Sequence, residues 1–303
     1  MRFVKMHGIG NDYVYVDAYT DAAVERRRDL PALARAMSDR HRGIGADGLI
    51  LLCRPTASGA DVRMRMFNAD GSESEMCGNG VRCVAKFAHD RLGIRKLPMR
   101  VQTGRGVLAI DYVVADTRLA SATVDMGEPI LDAGRIGVEL PRPTADGRIV
   151  DFPLARFVPI PAEWSGWMDE SGLLPGMTCV SMGNPHVVLF CARPEGVALD
   201  LLGPHIETQP IFPNRINVHV VAAVEPARAV MRTWERGAGM TLACGTGACA
   251  AVVAGVLTGR LAPEATVRLP GGELAVKWDR GAGASRVLMT GPAAEVFTGD
   301  WPD

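Results

Sequence analysis

The amino-acid sequence predicts an α+β fold of two pseudo-symmetric domains, each a mainly antiparallel sheet wrapped around a central helix. Three observations lead to this prediction: a long segment is repeated, short alternating runs predict many strands, and a helix follows each of two matched cysteines. The segment "MRMFNADGSESEMCGNG" at 64–80 aligns without a gap with "MRTWERGAGMTLACGTG" at 231–247, which matches Cys77 to Cys244. Repetition of this kind indicates that the chain contains one domain twice.

The repeat extends beyond the two matched cysteines. "VQTGRGVLAI" at 101–110 aligns with "VRLPGGELAV" at 267–276, and "VKMHGIGNDYVYVD" at 4–17 is echoed by "VSMGNPHVVLFCA" at 180–192. Four matched features in the same order predict two homologous domains of about 130–160 residues each.

Short alternating or apolar runs predict the strands of both domains. These runs are Tyr13–Asp17, Leu49–Cys53, Val62–Phe67, Val101–Ile110, Val187–Cys191, Asn217–Val224, Ala229–Trp234, Val267–Val276 and Val287–Thr290. The turn sequences "TGRG" and "LPGG" split two of these runs into hairpins. Each domain also has a predicted helix of similar length, Leu30–Ser38 in the first and Ala198–Ile206 in the second.

A second helix in each domain follows the matched cysteine. The helix after Cys244, at about 247–258, is apolar all round, so we expect protein to surround it. The helix after Cys77 has a polar side, which we expect to be partly exposed. That polar side consists of Arg82, Lys86 and His89.

Composition excludes several classes of function. The net charge of −1 over 303 residues gives no basic surface for nucleic acid or an anionic membrane. The apolar run Ala248–Leu257 reaches about half of a membrane span, and the charged, alternating N-terminus is unlike a signal peptide. Seven scattered cysteines favour a reducing cytoplasm over a disulfide scaffold. Their spacing does not match a zinc or iron–sulfur site, so we expect no metal.

The two matched cysteines have the same local surroundings. Each follows a strand and a loop, precedes a helix, and is followed by small residues that leave backbone N–H groups uncovered. Such a position binds anions and is expected to lower the pKa of the thiol. A single copy is explained by a buried structural cysteine. Two copies favour a pair of thiols opposed across a cleft, suited to taking a proton from one face of a carbon and returning one to the other.

The motifs "HGIGNDYVYVD", "FNADGSESEMCGNGVRC", "SMGNPH", "RIN" and "WERGAGMTLACGTGACA" resemble, in this order, those of diaminopimelate epimerases. The resemblance implies epimerisation of LL-2,6-diaminopimelate to the meso isomer without a cofactor, in lysine and peptidoglycan precursor biosynthesis. It implies that Cys77 and Cys244 are the acid/base residues and that His186 and Glu235 support them. The implied substrate-binding residues are Asn11, Asn68, Gly78, Asn79, Asn184, Asn217, Glu235, Arg236, Gly245 and Thr246.

The resemblance also implies domain bounds and assembly. The last strand returns to the first domain, so the domains are 1–125 plus 291–303 and 126–290, with the active site in the cleft between them. We expect a cytoplasmic homodimer, in which Phe297 stands where relatives have a dimer-contact tyrosine. Two departures concern the site: Met240 replaces a glutamate and Gly48 replaces a glutamine found in many members.

Two alternatives remain open from the sequence. One is a racemase or epimerase of the same fold that acts on another amino acid, because of the departures at Met240 and Gly48. The other is a cysteine-based redox or nucleophilic enzyme. Five histidines have no metal-ligand spacing and are expected to be packed or solvent-facing, and five further cysteines are expected to lie in the core. These histidines are His7, His41, His89, His205 and His219, and the cysteines are Cys53, Cys83, Cys179, Cys191 and Cys249.

Overall fold

The computed structural model describes residues 1–75, 77–141, 144–281 and 285–302. The chain forms two compact units, one of Met1–Asp125 with Thr290–Asp303 and one of Met126–Met289. Among the helices within the described ranges, none is both long enough and apolar enough to cross a membrane.

The two units are built mainly of strands. In chain order the strands are β1 (Arg2–Gly8), β2 (Asn11–Ala18), β3 (Gly48–Cys53), β4 (Val62–Asn68), β5 (Glu73–Ser74), β6 (Met99–Thr103), β7 (Gly106–Ala115), β8 (Arg118–Asp125), β9 (Phe152–Pro153), β10 (Gly176–Ser181), β11 (Pro185–Phe190), β12 (Asn217–Glu225), β13 (Arg228–Glu235), β14 (Gly239–Thr241), β15 (Glu264–Leu269), β16 (Gly272–Asp279), β17 (Arg286–Pro292) and β18 (Ala294–Asp300). The α-helices are α1 (Ala22–Glu25), α2 (Leu30–Ser38), α3 (Gly78–Asp90), α4 (Ala133–Ile136), α5 (Ser165–Ser171), α6 (Leu199–Glu207) and α7 (Gly245–Leu257). Short 3₁₀ turns cover Leu154–Arg156, Ala162–Trp164 and Pro194–Gly196.

The first unit is a mostly antiparallel sheet with a helix on each face. β1 pairs antiparallel with β18 and β2, whereas β2 with β3 and β4 with β6 are parallel pairs. The pairs β3–β4, β6–β7 and β7–β8 are antiparallel. Successive residues of β3 point to opposite faces, so Leu49 and Leu51 pack with α2 while Ile50 lies against the start of α3.

The second unit repeats this order of pairing. β10 pairs antiparallel with β9 and β11, β11 runs parallel to β12, and β12 is antiparallel to β13. β13 then runs parallel to β15, which forms a hairpin with β16. β10–β16 therefore correspond to β1–β7, and α7 corresponds to α3. The predicted hairpins at "TGRG" and "LPGG" are confirmed by the register, which pairs Thr103 with Gly106 and Leu269 with Gly272.

The expected exposed side of α3 is wrong, because the polar residues of this helix are buried. Arg82 is fully buried, and Lys86 and His89 are nearly so. Arg82 donates to Gly78 O at 3.1 Å, and Lys86 Nζ donates to Leu119 O at 2.6 Å. A buried cation is tolerated when such partners replace water. The expectation for α7 is confirmed, because its first three turns are buried almost throughout.

Candidate active site

Cys77 is the N-cap residue of α3 and has extended backbone angles, φ −134° and ψ 122°. Its Sγ accepts a hydrogen bond from the backbone N–H of Gly80 at 3.4 Å, as a side-chain oxygen does in most helix caps. The first turn of α3 lies close to the sheet, since a Cβ on Gly80 would lie 2.9 Å from Ile50 Cδ1. The cap thus holds the thiol at the start of α3, in the direction in which the first backbone N–H groups of the helix point.

Three side chains on one face of β2 lie beside the start of α3. Asn11, Tyr13 and Tyr15 are two residues apart, which puts them on the same side of the strand. Cys77 Sγ donates to Asn11 Oδ1 at 3.3 Å, and the Tyr13 hydroxyl is a further hydrogen-bond partner of the sulfur. Tyr15 Oη donates to Gly80 O at 3.2 Å. β2 therefore positions both the thiol and the helix that it caps.

The Asn11 amide is oriented by Asp47. Asn11 Nδ2 donates to Asp47 Oδ2 at 2.6 Å, which leaves Oδ1 to face the thiol. Beside it, a Cβ on Gly48 would lie 2.2 Å from Phe67 O and 2.9 Å from Tyr13 Cε1. Tyr13 and the neighbouring strand occupy the space that a side chain at Gly48 would need, so glycine at this position has a structural cause.

Cys244 has the same position at the start of α7. It is the N-cap residue, with φ −130° and ψ 102°, and only 4% of its surface is exposed. Its Sγ lies 3.6 Å from Thr246 Oγ1. Gly247 approaches the sheet as Gly80 does, because a Cβ there would lie 2.4 Å from His219 Cε1. The two cysteines therefore cap matched helices over matched strands.

Two buried histidines lie behind Cys244. His186 Nδ1 and His219 Nε2 are 2.9 Å apart, His186 Nε2 lies 3.0 Å from Asn184 Oδ1, and His219 Nδ1 lies 3.0 Å from Thr233 Oγ1. Burial lowers the pKa of His219 to about 3. Burial, with a contribution from the neighbouring His219, holds the pKa of His186 well below its usual value. Both rings are therefore neutral at physiological pH.

These two histidines and Cys244 are spaced closely enough to bind a metal ion. Their ligand atoms all lie within 4.8 Å of one another, and thiolate sulfur and imidazole nitrogen are both zinc ligands. All four ring nitrogens already have hydrogen-bond partners, however. A metal would have to break at least the bond between the two rings.

A second group of polar residues lies at the end of β13. Thr241 Oγ1 donates to Glu235 Oε1 at 2.6 Å. The carboxylate of Glu235 also hydrogen-bonds with Cys244 and raises the pKa of this thiol, so it lies close to the sulfur. Asn217 Oδ1 accepts from the backbone N–H of Arg236 at 2.9 Å, which holds the turn after the strand.

The expected lowering of the thiol pKa values is wrong for the protein without substrate. Burial raises the pKa of Cys77, partly offset by the N–H groups of Gly80 and Asn79. Burial raises the pKa of Cys244 well above its usual value, and the Glu235 carboxylate adds to this. Desolvation of the thiolate therefore outweighs the helix N-terminus in both units.

In the first unit, the structure brings together only some of the predicted residues. Asn11 contacts Cys77, and Gly78 and Asn79 form the first turn of α3. Asn68 ends β4 and donates to Ser72 Oγ, within its own turn, at 2.9 Å.

In the second unit, Glu235 and Thr246 contact Cys244, and Gly245 begins α7. His186 hydrogen-bonds with Asn184 and has a ring nitrogen within 4.8 Å of Cys244 Sγ. Arg236 has an exposed side chain that donates to Asn214 O at 2.8 Å. Sequence reasoning missed Tyr13 and His219 as neighbours of the cysteines. Strand alternation was the available signal, because they lie two residues after Asn11 and Asn217.

A model of the family described as Diaminopimelate epimerase matches residues 3–131 and 178–296 of the chain. The diaminopimelate epimerase of Pelotomaculum thermopropionicum is 45% identical over 302 residues, covering 100% of this chain and 99% of the relative. That of Desulfovibrio desulfuricans is 47% identical over 303 residues, covering 99% of this chain and 98% of the relative.

Solved structures of similar fold are much more distant in sequence. A phenazine biosynthesis protein of the PhzF family from Bacillus anthracis matches with a TM-score of 0.67 and 15% identity, covering 98% of this chain and 97% of its own. A hydroxyproline epimerase from Agrobacterium vitis matches with a TM-score of 0.60 and 15% identity, covering 99% and 90%. At this identity the likeness shows the fold alone, and it confirms the α+β class predicted from the sequence.

Proposed function

Because the chain belongs to the diaminopimelate epimerase family, we propose that it interconverts LL-2,6-diaminopimelate and meso-diaminopimelate without a cofactor. The chain is thus an isomerase that acts on a small molecule. The observation that carries the proposal is the pair of N-cap cysteines, Cys77 on α3 and Cys244 on α7, in two units with the same order of strand pairing. This places the reaction in lysine and peptidoglycan precursor biosynthesis.

The reaction needs two acid/base groups on opposite faces of one carbon. One thiolate removes the Cα proton, the electron pair passes into the substrate carboxylate, and the other thiol delivers its proton to the opposite face of Cα. The backbone N–H groups at the starts of α3 and α7 stabilise the charge that develops on the carboxylate. One of the two sulfurs is ionised at a time, so the two thiols titrate as a pair.

Cys77 is the sulfur that ionises more readily in this proposal. Its thiolate accepts hydrogen bonds from two backbone N–H groups and from Tyr13, which offset part of the cost of burial. Cys244 has the Thr246 hydroxyl and one backbone N–H group, but the negative Glu235 opposes its ionisation. A substrate ammonium group beside Glu235 would relieve that opposition.

The substrate is held by side chains that already surround the two cysteines. Asn11 is the first residue of β2 and accepts from the Cys77 thiol. Asn184 directly precedes β11 and hydrogen-bonds with His186, which has a ring nitrogen within 4.8 Å of Cys244 Sγ. Glu235 and Arg236 bind the charged ends of the substrate, for which a guanidinium suits a carboxylate. The remaining proposed contacts are Asn68, Gly78, Asn79, Asn217, Gly245 and Thr246.

We also propose that the site lies in the cleft between the domains 1–125 plus 291–303 and 126–290. If Cys77 and Cys244 face one another there, mild oxidation of the enzyme will join them in a disulfide and abolish activity, and a reductant will restore it. Peptide mapping checks the bond. Both thiols remaining free under conditions that oxidise small dithiols would contradict a shared cleft.

The proposed location and assembly are a cytoplasmic homodimer. The seven cysteines, all of them among the described residues, form no disulfide, which suits a reducing compartment. Val296 and Phe297 on β18 are about half exposed, and Phe297 packs edge-on against Phe3 with ring centroids 5.9 Å apart. An exposed apolar strand of this kind suits contact with a second copy. Sedimentation of the wild type and of Phe297→Asp tests this assignment, since the variant is expected to be monomeric.

The decisive test is incubation with LL-diaminopimelate in heavy water. The proposal expects meso product carrying deuterium at Cα. Cys77→Ser and Cys244→Ser are each expected to lose about 100-fold or more in kcat, whereas Cys191→Ser, a buried cysteine outside the site, keeps activity. Absence of both product and deuteration would refute the function. An enzyme that uses one cysteine as a nucleophile would, by contrast, keep its activity when the other of the two thiols is removed.

A second candidate is an epimerase of the same fold with another amino-acid substrate. Two features favour this alternative: Met240, which is 54% exposed, stands where many family members have a carboxylate, and Tyr13 fills the space beside Gly48. A panel of amino acids in heavy water separates the two candidates. Faster Cα exchange on a compound other than diaminopimelate would favour this alternative.

A further inference from the structure

We infer that His219 is a positioning residue: it sets the tautomer of His186 and, through it, directs the N–H groups of the Asn184 amide toward the substrate. The inference rests on the proposed function for its effect on catalysis, but the tautomer is a property of the protein alone. All the groups involved belong to the second unit.

The structure contains a buried chain of hydrogen bonds from Thr233 to Asn184. Thr233 Oγ1 lies 3.0 Å from His219 Nδ1, His219 Nε2 lies 2.9 Å from His186 Nδ1, and His186 Nε2 lies 3.0 Å from Asn184 Oδ1. Thr233 is almost fully buried, and both histidines are fully buried. Buried polar groups of this kind require a partner, so the protons must be arranged to satisfy every link.

The position of the Asn184 amide oxygen shows the direction of all three bonds. A carbonyl oxygen only accepts, so His186 Nε2 carries the proton. A neutral ring has one donor and one acceptor, so His186 Nδ1 accepts from His219 Nε2–H. His219 Nδ1 is then an acceptor and receives the Thr233 hydroxyl. Both rings are neutral because burial lowers their pKa values.

This direction determines which end of the amide faces the substrate. Because the Asn184 amide oxygen accepts from His186, the two N–H groups of the amide can donate to a substrate carboxylate. The opposite direction would turn the amide over and present the oxygen, which suits an ammonium group. His219 therefore acts on recognition through two intermediate residues without touching the substrate.

The matched position in the first unit distinguishes the positioning role of His219 from simple packing. His219 is the third residue of β12 and lies under Gly247, and Ile50 is the third residue of β3 and lies under Gly80. An isoleucine is sufficient to support the first turn of α3 in the first unit. The histidine at the matched position of the second unit supplies what isoleucine lacks, which is the donor to His186.

The test uses the full-length enzyme labelled with ¹⁵N-histidine and two variants. In the wild type, long-range ¹H–¹⁵N correlation spectra are expected to show the proton on Nε2 of both buried rings. His219→Ile copies the first unit and removes the donor, so His186 is expected to lose its single tautomer and kcat/KM to fall about tenfold or more, mainly through KM. His219→Gln can donate through its amide and is expected to restore most of both readouts.

Several outcomes would overturn the inference. A proton on Nδ1 of His186 in the wild type would reverse the chain, and an unchanged tautomer and KM in His219→Ile would remove His219 from it. If His219→Ile does not fold, Thr233→Val tests the same chain from its other end, because loss of the hydroxyl is expected to disturb the His219 tautomer. A wild type that shows the expected tautomers but does not epimerise diaminopimelate would refute the proposed function and leave this inference standing.

Discussion

Asn11 accepts a hydrogen bond from the Cys77 thiol, with 3.3 Å between Sγ and Oδ1, while the other end of its amide donates to Asp47. The amide oxygen stabilises the protonated sulfur, because it accepts the S–H and offers nothing to a thiolate. Ionisation of Cys77 therefore requires other donors, and the structure supplies them from the start of α3 and from Tyr13.

Tyr13→Phe is expected to make the Cys77 thiolate harder to form. The Tyr13 hydroxyl donates to the thiolate and lowers the pKa of Cys77, so its removal raises that pKa further. Alkylation of Cys77 by iodoacetamide at pH 8 is expected to slow by about threefold to tenfold. Mass spectrometry of the Cys77 peptide measures the rate. Tyr15→Phe is the matched control: Tyr15 Oη donates to Gly80 O, so the rate of Cys77 alkylation should stay near the wild-type value. An unchanged rate in Tyr13→Phe would show that the hydroxyl does not act on this sulfur.

Glu235→Gln is expected to have the opposite effect on the other thiol. The negative carboxylate raises the pKa of Cys244, so neutralising it lowers that pKa and makes Cys244 alkylate faster, by about threefold or more at pH 8. Epimerase activity is nevertheless expected to fall, because a proposed substrate contact is lost. Glu273→Gln, at an exposed position on β16, should change neither measurement. Slower alkylation of Cys244 in Glu235→Gln would contradict the assigned electrostatics.

Local sequence signals were sufficient for the regular elements of the repeat. Helix α2 covers Leu30–Ser38 as predicted, because Pro31 in the first turn and an apolar stripe mark it locally. The hairpins were marked by glycine-containing turns. In contrast, no element was predicted between about 127 and 175, where the structure has α4, α5 and 3₁₀ turns too short to give a periodic pattern.

The parts of the site that the sequence did not reveal depend on contacts between distant segments. Arg82 and Lys86 looked solvent-facing because one acceptor of each side chain comes from a distant strand: Pro292 O for Arg82 and Leu119 O for Lys86. The thiol pKa values were misjudged for the same reason: a helix start is visible in sequence, whereas the burial that outweighs it is not. The partnership of His219 with His186 arises from the parallel pairing of β11 with β12.

The two buried histidines are expected to make the fold acid-sensitive. An unfolded histidine has a pKa of about 6.5, whereas that of His219 in the fold is about 3. Between these values the unfolded chain binds a proton that the native protein does not, so the free energy of unfolding falls as the pH drops. The slope is up to about 1.4 kcal/mol per pH unit for each histidine. Urea unfolding between pH 4 and pH 7 is expected to give a shallower slope for His219→Gln than for the wild type. The exposed His41→Gln should keep the wild-type slope, and equal slopes for all three proteins would contradict the prediction.

Alanine at the matched glycines is expected to cost more stability in the second unit than in the first. In Gly247→Ala the new methyl group would lie 2.4 Å from the His219 ring, which is held by hydrogen bonds at both nitrogens and cannot move without breaking the chain to Asn184. Overpacking of this kind costs about 1–3 kcal/mol. In Gly80→Ala the nearest atom, at 2.9 Å, is the flexible end of Ile50, so the cost is smaller.

Gly166→Ala provides the control for these two glycines, because a Cβ at this helical position meets nothing within 4 Å. Urea unfolding is expected to rank the loss of stability as Gly247→Ala, then Gly80→Ala, then Gly166→Ala with little or none. In Gly247→Ala the KM is also expected to rise, because displacement of His219 disturbs the Asn184 amide. Gly80 has Ile50 and not a histidine beneath it. An equal loss of stability in Gly80→Ala and Gly247→Ala would therefore show that the rigid His219 ring does not determine the cost of the added methyl group.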